Sequence, residues 1–430
     1  MYIDFPHFLR YNPHKKGCVL MPHNLRRLRL ACYTGNATMS AVASLSPVLF
    51  LTFRSLYGFS YSLLGLLVLI NYVTQLTIDL VFSLFSHRFN IPRTLRIMPI
   101  LAVFGFAFYG LSPVLFPQNP YIGLVIGTIL FCASSGLAEV LLSPVIAAIP
   151  AKDPDREMSK LHSIFAWGTV AVIIVSTLFL LVFGHENWPF LPLFFLLIPL
   201  LSAILFLGAE IPKMETPERT SGALTFFKNK WLWLSVLAIF LGGAAECTMS
   251  QWSSGYLEQA LGIPKVWGDV FGVALFSVAL GVGRTLYAKF GKNLGKMITL
   301  GAVGATLCYL ICALSPWPIV GLLACALTGF CTSMLWPGNL VLATDRFPSG
   351  GVFIFAMMAA GGDLGASIGP QLIGVITDSA IANPAIASFA ASLSLAPEQL
   401  GMKLGMLIAM LFPLIAIPLY RHIWKHQSNS

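Results

Sequence analysis

Apolar stretches of roughly twenty residues or more recur along the whole chain, separated by short polar connections. That is the length a helix needs to cross the hydrocarbon core of a bilayer. The pattern therefore predicts twelve transmembrane spans. They lie at 29–53, 61–86, 95–116, 121–149, 162–183, 189–210, 230–258, 267–290, 296–315, 317–347, 352–379 and 399–424. The predicted fold class is an all-α polytopic membrane protein.

The longest internal polar stretch, 211–229, divides the pattern into two halves of six spans each. This stretch combines proline, glycine and charge, which is typical of a linker. We expect one six-helix bundle at 29–210 and a second at 230–424, joined by a cytoplasmic linker. Tails of 1–28 and 425–430 complete the predicted organisation.

The first 28 residues carry charge but lack the apolar core that marks a cleaved signal peptide. No cleaved signal is therefore expected. Met21 is an alternative start to Met1, and the sequence does not distinguish the two.

Composition and charge agree with a membrane protein. Of 430 residues 57% are hydrophobic and only 10% are charged, with a net charge of +9. Of the 26 lysines and arginines, 22 lie in connections on one side of the predicted membrane and three, Arg54, Lys265 and Lys403, on the other. Positive residues favour the cytoplasmic side. We therefore expect both termini to lie in the cytoplasm. We further expect a monomer in a bacterial inner or plasma membrane, with no nucleic-acid partner.

Four acids and one arginine interrupt stretches that are otherwise apolar. They are Asp79, Glu139, Glu246, Asp363 and Arg284. An acid at the centre of a lipid-spanning helix costs about 3 kcal/mol on insertion scales, so such residues usually face a water-filled cavity or a proton path. The pattern predicts a transporter.

Local patterns in both halves resemble the major facilitator superfamily. In span 2, LYGFSYSLLGLLVLINYVTQ is similar to the family's entry into its second helix. The following SHRFN at 86–90 resembles the family's loop signature but lacks its acidic residue. In the second half, GVGRTLYAKFGKNLG at 281–295 is similar to the same loop, and GGDLGASIGPQLIGVITD at 361–378 resembles the eleventh helix. The resemblance implies two bundles that rock alternately around a solute near mid-membrane.

Within that superfamily the chain resembles the fucose permease and glucose/galactose branch of sugar/proton symporters. The resemblance rests on GLAEVLLSPVI at 136–146, LHSIFAWG at 161–168 and SMLWPGNLVLA at 333–343. It implies that Glu139 is the proton-accepting carboxylate, the alternative being a protonated acid that hydrogen bonds to a neighbouring helix. The branch also uses an aspartate in its first helix, and span 1 has none. A relay of two acids in the N-terminal half is therefore not carried over.

Span 2 presents Asn71, Gln75 and Asp79 on one stripe of a helix, at i, i+4 and i+8. We expect this stripe to form a cavity wall. Amides both donate and accept hydrogen bonds, so Asn71 and Gln75 are candidate substrate contacts, together with Glu139. Asp79 lies toward the cytoplasmic end of the span, and we favour a gate or a salt bridge over coupling for it.

Glu246 falls near the middle of span 7, close to Trp252. A carboxylate beside an indole face suits a sugar, so both residues are candidate substrate contacts, and Glu246 is also a candidate for proton coupling. The alternative is an ion pair between Glu246 and Arg284 of span 8. Arg284 is a candidate gating residue that could instead partner Asp363, or extend toward the membrane interface.

Asp363 of span 11 shares a helix face with Gln371. We expect Asp363 to take part in proton coupling and Gln371 to contact substrate. Gly361, Gly365 and Gly369 form a ridge of small residues on the neighbouring face. Such ridges allow two helices to approach closely, so we expect this one to serve packing.

Three further residues are candidate contacts for a sugar. Trp336 and Asn339 share a face of span 10, and Trp167 lies in span 5. An indole can stack on the apolar face of a sugar ring while an amide binds its hydroxyls. The predicted site thus draws on both halves.

No enzymatic activity is expected, because the sequence has no HExxH motif and its glycine-rich segments miss the dinucleotide and phosphate-loop spacings. We expect no metal and no cofactor other than the coupling ion, a proton with sodium as the alternative. The predicted function is symport of a small neutral polyhydroxy solute, such as a monosaccharide or its derivative, through the lipid bilayer. The rival is a drug or metabolite exporter or antiporter of the same superfamily, and the mid-span acids disfavour a scaffold that only retains the fold.

Overall fold

The computed structural model describes residues 22–85, 88–150, 154–212, 226–290, 293–347 and 351–427. Most of the predicted N-terminal tail and of the linker at 211–229, and the last three residues, lie outside these ranges. Within the described residues, twelve helical segments are long and apolar enough to cross a membrane. The predicted fold class and the predicted number of spans are both confirmed.

We number the twelve spans α1 to α12. Those of the N-terminal half are α1 (Pro22–Tyr57), α2 (Tyr61–Phe85), α3 (Ile91–Gly110), α4 (Pro120–Ala148), α5 (Pro154–Phe183) and α6, built from Phe190–Phe195 and Leu197–Leu207. Short helices at Ser112–Leu115 and His185–Asn187 lie in the connections.

The C-terminal half repeats the arrangement with more interrupted helices. Its spans are α7 (Lys230–Gln259), α8 (Lys265–Trp267, a π-helix at Gly268–Ala274, then Leu275–Phe290), α9 (Leu294–Leu314), α10 (Pro318–Thr332 and Leu335–Arg346), α11 (Gly351–Ala382) and α12 (Pro397–Ala409 and Leu411–Gln427). A short helix at Pro384–Ser392 connects α11 to α12.

Proline explains the interruptions of α6, α10 and α12. Proline has no N–H to bond to the carbonyl four residues earlier, and its ring clashes with that carbonyl. The breaks fall three to four residues before Pro199, Pro337 and Pro413. Each break frees a backbone carbonyl inside the membrane, where it needs another partner.

The apolar core is shared between the halves at one end of the molecule only. At the end where α1 passes into α2, one cluster joins residues of both halves, including Phe50 and Tyr61 with Trp252 and Tyr256. We call this the joined end. At the opposite end, the divided end, the described core residues form separate clusters, one confined to the N-terminal half and two to the C-terminal half. The halves therefore meet at the joined end and keep separate cores at the divided end.

Candidate functional site

Glu139 is the centre of the candidate site. It lies on α4, and its side chain is exposed although it is more than two turns from either end of its helix. The side-chain amide of Gln75 on α2 donates a hydrogen bond to its Oε2. An accessible mid-span carboxylate that bonds to a neighbouring helix faces a cavity rather than lipid. The polar stripe of α2 and Glu139 of α4 therefore face each other.

Two further acids extend this site across the boundary between the halves. Asp79 of α2 and Asp363 of α11 are only 5% and 3% exposed. The carboxylate of Asp363 lies within electrostatic range of both Glu139 and Asp79, which belong to the other half. Among the described residues, Asp79 Oδ1 and Asp363 Oδ2 have no hydrogen-bond partner. A buried charged oxygen without a partner is costly. A proton or a cation at these oxygens would remove that cost.

Glu246 and Arg284 form an ion pair beside this cluster, with 3.3 Å between Oε1 and the guanidinium. Arg284 also donates from Nε to the Ser333 carbonyl at 3.1 Å. That carbonyl is the one that Pro337 leaves without a helical donor. The pairing that the sequence left open is thus with Glu246, and the break in α10 fixes the position of the arginine.

Tyr72 and Cys247 connect the two groups of acids, and sequence reasoning missed both. Tyr72 lies beside Cys247 across the boundary between α2 and α7, within electrostatic range of Asp363 and Glu246. Tyr72 also packs against the shared core, so it lies where the joined end meets the acids. Its position one turn before Gln75 on the polar stripe is the signal that could have indicated it.

The predicted tryptophans occupy three different environments. Trp252 is fully buried in the shared core, donates to the Pro370 carbonyl at 2.8 Å, and packs against Phe50 with ring centroids 5.4 Å apart. Trp336 is partly buried, with its ring over Gly362, next to Asp363. Trp167 is 71% exposed, and within the described residues no hydrogen bond, ion pair or ring contact joins it to the acids. Of the three, only Trp336 packs against a residue adjacent in sequence to one of the acids.

The predicted amides also occupy different environments. Asn71 is buried on the same stripe as Gln75. Asn339 is buried, and its amide donates to the Leu335 carbonyl at 2.6 Å and to the Ala238 carbonyl at 3.5 Å, so it ties α10 to α7. Gln371 lies against Gly65 where α11 crosses α2, and its Oε1 has no partner among the described groups. Gln75 is the amide that reaches the acids.

Polar contacts that the sequence did not predict tie the halves together at the joined end. Asp269, fully buried in the π-helix of α8, accepts a hydrogen bond from Thr177 of α5 at 2.7 Å and lies 3.3 Å from Lys265. Near this contact, His185, in the connection after α5, hydrogen bonds to Thr52 of its own half at 2.9 Å. Desolvation and the charge of Lys265 lower the pKa of His185, while Asp269 acts in the opposite sense.

Comparison with known proteins follows this geometry. The family model described as Major Facilitator Superfamily matches residues 31–370. The chain belongs to this superfamily and is a transporter, as the paired bundles and the shared acidic site indicate. The resemblance noted in the sequence is confirmed at this level. No curated protein matches the chain.

Solved structures with the same fold include transporters of several kinds. One is a bacterial homologue of the human lysosomal transporter Spinster, with TM-score 0.70, 14% identity and coverage of 93% of this chain and 96% of that one. Another is FucP, the E. coli fucose:proton symporter, with TM-score 0.57, 16% identity and coverage of 90% and 98%. A third is a peptide transporter of the POT family, with TM-score 0.66, 12% identity and coverage of 92% and 97%. At these identities the likeness concerns the fold.

Proposed function

We propose that this protein is a proton-coupled symporter of a small neutral polyhydroxy solute, such as a monosaccharide or a derivative, that works by alternating access. One observation carries the proposal. Acids from both halves, Glu139 and Asp79 on one side and Asp363 on the other, lie within electrostatic range of one another at the boundary between the bundles. Acids that interact across that boundary change their environment whenever the bundles move relative to each other.

Proton coupling follows from the chemistry of this cluster. When Glu139, Asp79 and Asp363 are all ionised, their like charges repel one another across the boundary. Protonation of Glu139 relieves that repulsion and eases closure of the bundles around solute, and deprotonation on the other side resets the carrier. If the divided end faces the cytoplasm, as the distribution of basic residues favours, the conformation described is inward-facing, with Glu139 accessible from inside.

The solute class rests on the hydrogen-bonding groups beside Glu139. Gln75 bonds directly to it, Asn71 lies two turns before Asp79 on the same helix face, and Trp336 places its indole over Gly362, the residue before Asp363. Amides, carboxylates and an indole together suit the hydroxyls and apolar face of a sugar.

A second candidate is an exporter or antiporter of cationic drugs or metabolites, and one observation favours it. Within the described residues, no salt bridge involves Asp79, Glu139 or Asp363, whereas Glu246 is paired with Arg284. An excess of carboxylates would attract a cationic solute.

A thermal-shift screen of purified protein tests the proposal. Sugars, amino acids and lipophilic cations are compared at two pH values, with and without sodium, on wild type and Glu139→Gln. We expect stabilisation by a monosaccharide that depends on pH in wild type and loses that dependence in Glu139→Gln. Stabilisation by lipophilic cations alone would favour the exporter, and a shift that requires sodium would replace the proton as the coupling ion.

A further inference from the structure

The first turn of α2 is capped by a carboxylate from the opposite half. The backbone N–H of Tyr61 donates to Asp378 Oδ1 at 3.0 Å, and that of Ser62 donates to Asp378 Oδ2 at 2.7 Å. Asp378 lies on α11. The first N–H groups of any helix have no partner within the helix, so Asp378 supplies acceptors that α2 itself lacks.

The half that contains α2 caps only the next N–H groups. Ser60 accepts from Leu63 through its hydroxyl at 3.2 Å and from Leu64 through its carbonyl at 3.2 Å. The capping of α2 is thus divided between its own half and the other one. Opening of the joined end would break the contribution of Asp378 and leave that of Ser60.

The backbones of α2 and α11 approach closely enough for this contact because glycine occupies the crossing. A Cβ on Gly374, one turn before Asp378, would lie 2.8 Å from the Tyr61 carbonyl carbon and 3.1 Å from Ser62 Cα. A Cβ on Gly65 would lie 3.1 Å from Gln371 Cα. Side chains at these positions would force the helices apart.

Electrostatics strengthens the contact. A helix N-terminus carries a partial positive charge that favours a carboxylate, and hydrogen bonds to an ionised acceptor are stronger than neutral ones. Beside it, Arg54 pairs with Glu398 and places its guanidinium 4.0 Å from the centroid of the Tyr61 ring. The cap therefore belongs to a polar closure of the joined end.

We propose that Asp378 is a positioning residue of the transport cycle, which holds the joined end closed by capping α2 from the other half. The inference rests on the proposed alternating-access function. The contact between Asp378 and α2 exists only when the two halves meet at the joined end. Asp378 therefore favours the conformation described over the one in which the joined end is open. Its release accompanies that opening.

Distances between spin labels at each end test this without any solute or pH gradient. Gln118→Cys and Ser392→Cys label exposed connections of the two halves at the joined end, and Arg93→Cys and Lys296→Cys label the divided end. Unmutated protein, labelled in parallel, gives the background of the native cysteines. Asp378→Asn keeps one carbonyl acceptor but loses the charge.

In Asp378→Asn we expect the ratio of open to closed joined ends to rise about tenfold, from the size of charge–helix interactions. The divided end should shorten reciprocally. Asp378→Glu should restore much of the closed population, and Glu186→Gln, which removes an exposed charge at the same end within one half, should change neither distance. Unchanged distances in folded Asp378→Asn would overturn the proposal.

A second variant covers the case in which Asp378→Asn does not fold. Gly374→Ala intrudes on the same contact and should open the joined end in the same sense, while closed joined ends in that variant would overturn the role of Asp378. If every variant and the wild type show rigid distances at both ends, alternating access itself fails, which is a separate result from failure of Asp378.

Discussion

Glu139 combines two properties that seldom occur together in a membrane helix. Its side chain is exposed at the surface of the described residues, and it lies within electrostatic range of two other acids that are almost fully buried. The hydrogen bond from Gln75 fixes the position of its carboxylate in both protonation states, because an amide N–H can donate to either form. Such a group can exchange protons with water and still affect how the two halves fit together.

The ion pair of Glu246 with Arg284 leads to a prediction at the same scale. The Arg284 side chain is 46% exposed, so solvent screening limits the pair to about 1 kcal/mol or less. Arg284→Gln alone leaves Glu246 without its cation and should lower the unfolding midpoint. The double variant Glu246→Gln/Arg284→Gln should recover most of the loss. A thermal unfolding series checks this, and a double variant no more stable than Arg284→Gln would show that the arginine acts through the Ser333 carbonyl instead.

At the scale of elements, the glycine ridge of α11 packs as its sequence predicts. Gly361, Gly365 and Gly369 all face α7, and a Cβ on Gly365 would lie 2.9 Å from both the Ala244 nitrogen and the Phe240 carbonyl carbon. Gly365→Leu should therefore destabilise the C-terminal half by roughly 1–3 kcal/mol or more, the usual range for overpacking.

Gly281→Ala shows the effect of a Cβ at an uncrowded helical glycine. A Cβ on Gly281 of α8 would meet no atom within 4 Å, so the substitution should be neutral or slightly stabilising, since alanine favours a helix over glycine by about 1 kcal/mol. The midpoint of thermal unfolding in detergent measures both variants. Equal stability of Gly365→Leu and wild type would contradict the close approach of the two helices.

The spans and the membrane acids could be predicted because each depends on a local property of the chain. Hydrophobic length marks a span, and the cost of an acid in hydrocarbon marks a cavity residue. The sequence offered Glu246 and Asp363 as partners of Arg284 but could not choose between them, since the position of the arginine depends on the carbonyl that Pro337 frees on α10. Trp252 could not be placed either, because an indole that packs in a core and one that binds a sugar look alike in sequence.

The contacts between halves were the least predictable part. Asp378 bonds to backbone groups more than three hundred residues away in sequence, and a backbone donor leaves no mark in the residue pattern. Asp269 looks like an ordinary end-of-helix acid until the fold brings Thr177 to it. Such contacts depend on how two separately predicted bundles meet.

At the scale of the whole molecule, closure of the joined end should respond to pH through His185. Its pKa is lowered in the described conformation, so this conformation favours the neutral ring. Neutral His185 therefore stabilises the closed joined end fully above the ordinary histidine pKa of about 6.5. This stabilisation is lost as the pH falls below that value. The same label pair at positions 118 and 392 should show more open joined ends at pH 5 than at pH 7.5.

His185→Asn provides the control for this pH dependence. It keeps a polar group near Thr52 but does not titrate, so the change in label distance between the two pH values should shrink. The other charged groups at this contact, Lys265 and Asp269, remain in both proteins. A response of full size in His185→Asn would assign the pH dependence to another group.

The central claim is that acids shared between two bundles couple proton movement to solute movement. Glu139 is the residue on which this claim mainly depends. Proteoliposomes containing wild type or Glu139→Gln, with the monosaccharide that gives the largest thermal shift, allow uphill uptake under an imposed pH gradient and solute exchange without a gradient to be compared. We predict that wild type does both, whereas Glu139→Gln retains exchange and loses accumulation above the equilibrium level. Accumulation of solute against its gradient by Glu139→Gln would contradict the account.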